Sequence, residues 1–260
     1  LKVYRGGENS SVKHFKEPYK AKKPKNVIFL IGDGMGVSQI FAGLVANRGE
    51  LYLKNFTNIG FSLTQSASHF ITDSGAGGTA LATGVRTFNG AIGVGTDSIP
   101  LQNIREKAEA KGCATGVIST SAITHATPAS FVAHQPNREW YEKIASDFLK
   151  TNIAVFIGGG LNNFNDRKDS VDLTIELKNK GYQIAVGIDS ISKITKGKLA
   201  GFTSIKHNEK MLEGRGNVLP TATKTALNIL SNDPDGFFLM VEGSQIDWGS
   251  HNNNTGYIAT

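Results

Sequence analysis

An unbroken apolar run, Val27 to Ile31, stops at a lone aspartate held between two glycines, Gly32-Asp33-Gly34. Five bulky apolar residues in a row predict a strand buried on both faces, as in the middle of a parallel sheet. Asp33 then falls just past the strand's C-terminal end, where open α/β sheets bind their ligands. Gly32, Gly34 and Gly36 allow the backbone to turn sharply and to approach a neighbour closely. Taken alone, the same turn also suits an aspartate that merely caps the next helix.

The remainder of the chain alternates. Val37, Ile40, Phe41, Leu44 and Val45 fall on one helical face, and Gly49 ends that helix. Residues 60 to 64 read as a strand. Ser98 and Pro100 open a helix with Leu101, Ile104 and Ala108 inward and Gly112 closing it. A strand over 115–118 leads into a polar stretch, and Asn137 caps a helix that repeats Trp140, Ile144 and Phe148. A strand over 153–157 ends in three glycines. Residues 161–219 are less regular, with a helix over 171–180 and a strand over 183–186. A helix over 221–230 precedes the strand Phe237 to Val241, which runs straight into Glu242. The pattern predicts an α/β fold over residues 26–260, a doubly wound, mostly parallel sheet flanked by helices.

Charge excludes one class of function. The 260 residues carry a net charge of +6, but residues 1–25 hold eight Lys/Arg and two Asp/Glu, so the body keeps 20 of each sign. The excess is a basic N-terminal arm, expected to be extended and solvated, and not the charged folded face of a nucleic-acid binder. No apolar stretch approaches the ~18 residues of a membrane span. Cys113 is the single cysteine, so no intrachain disulfide forms. The chain begins at Leu1 and shows no signal peptide, in keeping with a processed or trimmed N-terminus.

Three further clusters carry chemistry. Asp73-Ser74 opens a segment of small residues running to Gly84. If that segment is helical, Ser74 lies at its N-terminus, where free N–H groups and the dipole favour a phosphorylated hydroxyl; an ordinary N-cap serine is the plainer reading. The small side chains would let this helix sit close to the sheet. Glu242 follows a buried strand and should reach the rim that holds Asp33. Asp247 and His251 are four apart, on one helical face, as a divalent-metal pair or a surface pair would be. His125 and Thr127 lie in the polar stretch 119–128, and Arg138 follows thirteen residues after His125.

These stretches resemble the alkaline phosphatase family: Asn26 to Gly36, Thr72 to Ala80, Thr124 to Ala129 and Val241 to His251 match it in order and in spacing. The resemblance implies phosphate-monoester hydrolysis through a phosphoserine on Ser74, with two Zn²⁺ and a third metal, usually Mg²⁺. It implies that Asp33 bridges one zinc and the magnesium, with Thr127 and Glu242 completing the magnesium site. Asp247 and His251 would be ligands of the second zinc, and Arg138 would clamp the phosphate. Trp248 stands where some members place a lysine beside the phosphate, and His125 where some place an aspartate. An imidazole near the third site would admit Zn²⁺ or Co²⁺ as well as Mg²⁺. Metal preference there is accordingly expected to be loose, and strict dependence on Mg²⁺ would count against this.

The family pattern asks for an Asp-His pair and a further His after His251, and no histidine follows it. The chain is therefore expected to be the N-terminal portion of a longer enzyme, lacking the last part of the sheet and baring an edge. On its own it should hydrolyse p-nitrophenyl phosphate feebly or not at all. His14, His69, His134 and His207 match no family position and read as surface or packing residues. The resemblance also implies small phosphate monoesters and inorganic phosphate as ligands and a periplasmic or secreted location. The basic arm suggests a homodimer in which it embraces a second subunit. A phosphodiesterase or sulfatase of the same superfamily, and a non-catalytic phosphate- or metal-binding module, are the alternatives.

Overall fold

A computed structural model describes residues 10–14 and 24–260. Among the described residues, six strands form one wholly parallel sheet: β1 (Val27–Gly32), β2 (Ala114–Ala122), β3 (Val155–Gly159), β4 (Tyr182–Val186), β5 (Lys198–Phe202) and β6 (Phe237–Gly243), in the order β1-β6-β2-β3-β5-β4. Helices alternate with them. They are α1 (Val37–Ala46), α2 (Ser74–Thr83), α3 (Ile104–Glu109), α4 (Ala126–Ala129), α5 (Tyr141–Phe148), α6 (Asn162–Asn165), α7 (Leu173–Asn179), α8 (Ile188–Ile191), α9 (Val218–Leu230), α10 (Gln245–His251) and α11 (Thr255–Ile258).

Side chains alternate across each strand, so one sheet builds two cores. Val117, Phe156, Phe238 and Met240 face one way and pack with Ile144 and Phe148 of α5 and Leu177 of α7. Ile118, Val155, Ile157, Leu239 and Val241 face the other way, against Ala222, Ala226 and Ile229 of α9. That is the expected doubly wound architecture. It directs the C-terminal ends of β1, β6 and β2, with Asp33, Glu242 and the residues after Ser119, to one rim.

Several elements differ from expectation. β1 is not central: β6 alone flanks it among the described residues, and Val27, Ile28 and Leu30 are 43%, 47% and 59% exposed. α1 likewise has no buried residue. Residues 60–64 form no strand with any of the described residues, and Phe61 is 96% exposed. The helix expected from Ser98 begins only at Ile104. There Asn103 accepts the Glu106 N–H while Glu106 accepts the Asn103 N–H, a reciprocal cap, and Pro100 instead bridges Val94. α5 starts at Tyr141, after Trp140, and Asn137 accepts the Glu139 N–H in the turn before it. β5 was not anticipated at all. Most of the basic arm lies outside the described residues, but Ser10 to His14 are docked: Ser10 exchanges two hydrogen bonds with the Asn47 side chain, and the Tyr52 hydroxyl donates to Ser11 O.

His134 pins α3 to the loop before it. Its Nδ1 lies 2.7 Å from Gly93 O and its Nε2 2.9 Å from Glu106 Oε1, so both nitrogens face acceptors and the cation is favoured. Glu106 is the main cause of a raised imidazole pKa; burial opposes it, and Gly93 O and the charge of Asp147 add to it. A raised pKa gives stability that is complete below the unfolded value and lost as pH rises through the folded one. His134→Gln should therefore cost on the order of 1 kcal/mol at pH 5.5 and much less at pH 9. Thermal melts of both proteins at the two pH values read this directly.

Candidate active site

At the rim, Ser74 is the first residue of α2 and Asp73 is its N-cap, accepting the Ala76 N–H at 2.9 Å. Because Asp73 performs the capping, the Ser74 hydroxyl is free for another partner. It donates to Asp33 Oδ2 at 3.0 Å. The small residues of α2 serve a close approach to α4, not to the sheet as expected. A Cβ on Gly78 would lie 2.9 Å from Ser130 Oγ and 3.2 Å from Thr127 Cα.

Asp33 is held by its own N–H, which donates to Gly243 O at 3.2 Å and ties the β1 turn to the end of β6. Gly34 adopts φ +61, and a Cβ there would fall 2.6 Å from Asp247 Oδ1, so only glycine lets this turn pass the carboxylate. Burial raises the Asp33 pKa and the charge of Asp247 adds to it, against the Ser74 hydroxyl, Arg138 and the Gly34 N–H.

Glu242 is fully buried and sits in register with Ile31 of β1 and Ser119 of β2. Burial pushes its carboxyl up to about 8 and the charge of Asp33 adds to this, opposed by the hydroxyls of Ser119, Thr127 and Ser244. Thr127, 3% exposed, is carried by α4.

Arg138 Nη1 donates to Asp73 Oδ2 at 2.9 Å, and Nη2 lies 3.3 Å from His125 Nε2. A guanidinium has no acceptor, so His125 accepts at Nε2 and carries its proton on Nδ1, which has no partner. Burial, with the charges of Arg138 and His207, lowers His125 to about 3, so it is neutral. For Asp73, burial works against the charged form, yet the Ala76 and Gly90 N–H groups and Arg138 outweigh it and lower its pKa. The guanidinium thus stands beside the residue preceding Ser74.

Asp247 and His251 share a face of α10 and pair with each other, Oδ1 to Nε2 at 3.5 Å, with the imidazole 78% exposed. Trp248 packs its ring against His125 and His207, at centroid distances of 5.9 and 4.9 Å. The structure therefore gathers Asp33, Ser74, Glu242, Thr127, Asp247, Arg138, His125 and Trp248 at one rim and leaves His251 at its outer margin.

Asp73, Ser119 and His207 belong to this neighbourhood without having been assigned a role. His207 is no ordinary surface residue: its Nδ1 accepts the Ala122 N–H at 3.0 Å and its ring stands 5.7 Å from that of His125. No spacing in the sequence pointed to it, because the loop bearing it reaches the rim only through tertiary packing.

Among the described residues, no three His, Cys, Asp or Glu side chains converge closely enough to hold an ion as they stand. The Asp33–Thr127–Glu242 set nevertheless fits Mg²⁺. Glu242 Oε1 and Thr127 Oγ1 are buried with no partner at hydrogen-bond distance, although the Thr127 hydroxyl is near enough to the carboxylate to favour its charge, and the charge of Asp33 raises the Glu242 pKa. Mg²⁺ takes one or two carboxylates and keeps several waters. The zinc sets do not fit by themselves. Asp247 with His251, and Asp33 with Ser74, supply two ligands each, where catalytic zinc commonly has three from protein.

The sequence model of the alkaline phosphatase family matches residues 24–258. The chain belongs to that family. It is 38% identical over 248 residues to alkaline phosphatase 4 of Bacillus subtilis, covering 89% of this chain and 53% of that one. The alkaline phosphatase of the Antarctic bacterium TAB5 superposes with a TM-score of 0.88 at 44% identity, over 92% of this chain and 71% of that one. The Thermus thermophilus alkaline phosphatase superposes at 0.84 with 29% identity, over 90% of this chain and 53% of that one. The chain thus spans about half the length of these curated relatives. Its sheet and alkaline phosphatase-like α/β fold are those of these neighbours, and no helix among the described residues is long and apolar enough to cross a membrane.

Proposed function

We propose that this chain carries the nucleophile and the third-metal cradle of an alkaline phosphatase that hydrolyses small phosphate monoesters through a phosphoserine on Ser74. One observation carries the reading: the Ser74 hydroxyl, at the N-terminus of a ten-residue helix, donates to Asp33 beside a guanidinium anchored on Asp73. With its proton directed at Asp33 Oδ2, the oxygen presents its lone pairs outward to an incoming phosphorus. Attack forms the Oγ–P bond as the bond to the leaving alkoxide breaks; the serine proton is lost to solvent and the alkoxide takes one up to leave as the alcohol. Water then attacks the phosphoserine, its oxygen bonding phosphorus as the Oγ–P bond breaks, and one of its protons returns to Ser74 as inorganic phosphate leaves.

The chain's own contribution is positioning and charge. The free N–H groups of the first turn of α2 and the Arg138 fork favour the dianion, Arg138 through two phosphate oxygens. Asp33, Thr127 and Glu242 would hold Mg²⁺, and Asp247 and His251 would contribute to one of two Zn²⁺ sites, with Asp33 and Ser74 contributing to the other. Divalent ions bound there supply neutralisation of phosphate charge and a lowered pKa for the hydroxyl. A histidine-to-aspartate variant of the TAB5 enzyme has Mg²⁺ bound in its M3 site, which supports a third metal in this fold. For this chain, His125 and Trp248 would border the phosphate without adding charge. A periplasmic or secreted location and a homodimer complete the proposal.

The test is covalent labelling. The chain is incubated with ³²P-phosphate, Zn²⁺ and Mg²⁺, quenched in acid and digested. Label on the peptide that contains Ser74 is expected, at a low level because the zinc sets are incomplete; label on a different peptide would sink the assignment.

A further inference from the structure

The oxygen of Glu242 that is free for a cation is selected by a hydroxyl on the neighbouring strand. Ser119 and Glu242 are register partners across β2 and β6, and Ser119 Oγ lies 2.5 Å from Glu242 Oε2. With a cation bound, Glu242 is ionised and only accepts, so the serine is the donor. The serine oxygen also accepts the Ser121 N–H at 2.9 Å and has Ser121 Oγ at 2.7 Å, and the carboxylate contact is the shortest its one proton can make. Ser244 Oγ is a third neighbour, at 3.2 Å, and it is fixed in turn by Thr120, whose Oγ1 lies 2.9 Å from it and accepts the Ser244 N–H at 3.0 Å. None of these four hydroxyl residues is more than 2% exposed, so water does not compete. The result is an asymmetric carboxylate, with Oε2 held and Oε1 buried without a partner, as is Thr127 Oγ1.

We propose that Ser119 is a positioning residue for the cation cradle: by anchoring Glu242 Oε2 it presents Oε1, together with Thr127 Oγ1, to a divalent metal. This rests on reading Asp33, Thr127 and Glu242 as that cradle. The physical reason is preorganisation. A carboxylate free to rotate about its last torsion must be ordered when the ion binds, whereas one already held by a hydrogen bond is ordered in advance. Partners that orient metal ligands commonly contribute ~10–100-fold in affinity. The alternative, that the serine cluster only fastens β2 to the β6–α10 junction, predicts loss of stability without a specific loss of metal binding.

The experiment measures Mg²⁺ affinity by titration calorimetry and Mn²⁺ affinity by electron paramagnetic resonance, on the full chain. Ser119→Ala is expected to weaken both at least ~10-fold, and Ser119→Thr, which keeps a hydroxyl, is expected to restore most of the loss. Ser119→Cys gives a near-isosteric second variant with a poor donor, and should also bind weakly, even if the alanine variant folds poorly. Unchanged affinity in folded Ala or Cys variants overturns the role of Ser119 while leaving the cradle intact. An absence of metal binding in the unsubstituted chain overturns the cradle itself, and the proposal with it. Equal loss in Ser119→Thr and Ser119→Ala also overturns it, since the hydroxyl would then be irrelevant.

Discussion

Ser74→Ala is expected to leave the fold and ligand binding in place and to abolish the phosphoenzyme. The substitution removes one oxygen from the first turn of α2 and leaves the cap untouched, because Asp73 supplies it. Alanine is also the best helix former, so the helix itself gains slightly. What is lost is the atom that bonds phosphorus and the donor that faces Asp33. Removing a nucleophile from a site that works as a unit costs several orders of magnitude in rate, while the surrounding charges still bind the ligand. Acid-quenched labelling should therefore show no phosphoserine in the variant, and any residual turnover should fall at least ~10³-fold. Inorganic phosphate should still protect the variant against thermal unfolding. A phosphoenzyme trapped in Ser74→Ala would mean that another residue is the nucleophile.

The parts of this arrangement that could be read ahead of the structure are those in which local sequence and tertiary role coincide. Val27 to Ile31 and Phe237 to Val241 are continuous apolar runs, and each lies in a strand of the parallel sheet. Asp33 and Glu242 were legible because Glu242 directly follows such a run and Asp33 follows one across a single glycine, which in a parallel sheet places both at one rim. The position of β1 within the sheet was not legible, since an apolar run records burial potential and not the number of neighbours. β5 escaped because Lys198-Leu-Ala-Gly-Phe202 shows neither a bulky run nor alternation. Its Gly201 is small because Ile157 and Ile191 press on it, and a Cβ there would lie 3.1 Å from both. Ser119 and Thr120 read as the start of a polar loop. Only the register that sets Ser119 opposite Glu242 turns a Ser-Thr-Ser stretch into a buried hydroxyl network. In the same way, Asp73 was visible as a neighbour of Ser74, but its hold on Arg138 spans 65 residues and depends on the fold.

Glu242→Gln should stabilise the metal-free chain at alkaline pH while removing its response to Mg²⁺. Glu242 is fully buried, and its carboxyl is pushed up to about 8 by that burial, with Asp33 adding to it. The folded state thus favours the protonated acid more than the unfolded state does. Such a group leaves stability intact below the unfolded value near 4.5 and removes it as pH rises, until the folded value is passed. The loss has a ceiling of roughly 5 kcal/mol, since each pKa unit corresponds to about 1.4 kcal/mol. Glutamine keeps an acceptor for Ser119 and carries no charge, so it escapes this loss. Chemical denaturation of the metal-free proteins should give similar stabilities at pH 5 and a variant more stable by several kcal/mol at pH 8.5. Added Mg²⁺ should reverse the order: it replaces the missing counter-charge in the parent chain, but finds one carboxylate fewer in the variant. A variant that loses stability with pH as steeply as its parent, or that gains as much from Mg²⁺, would place the buried charge and the cation elsewhere.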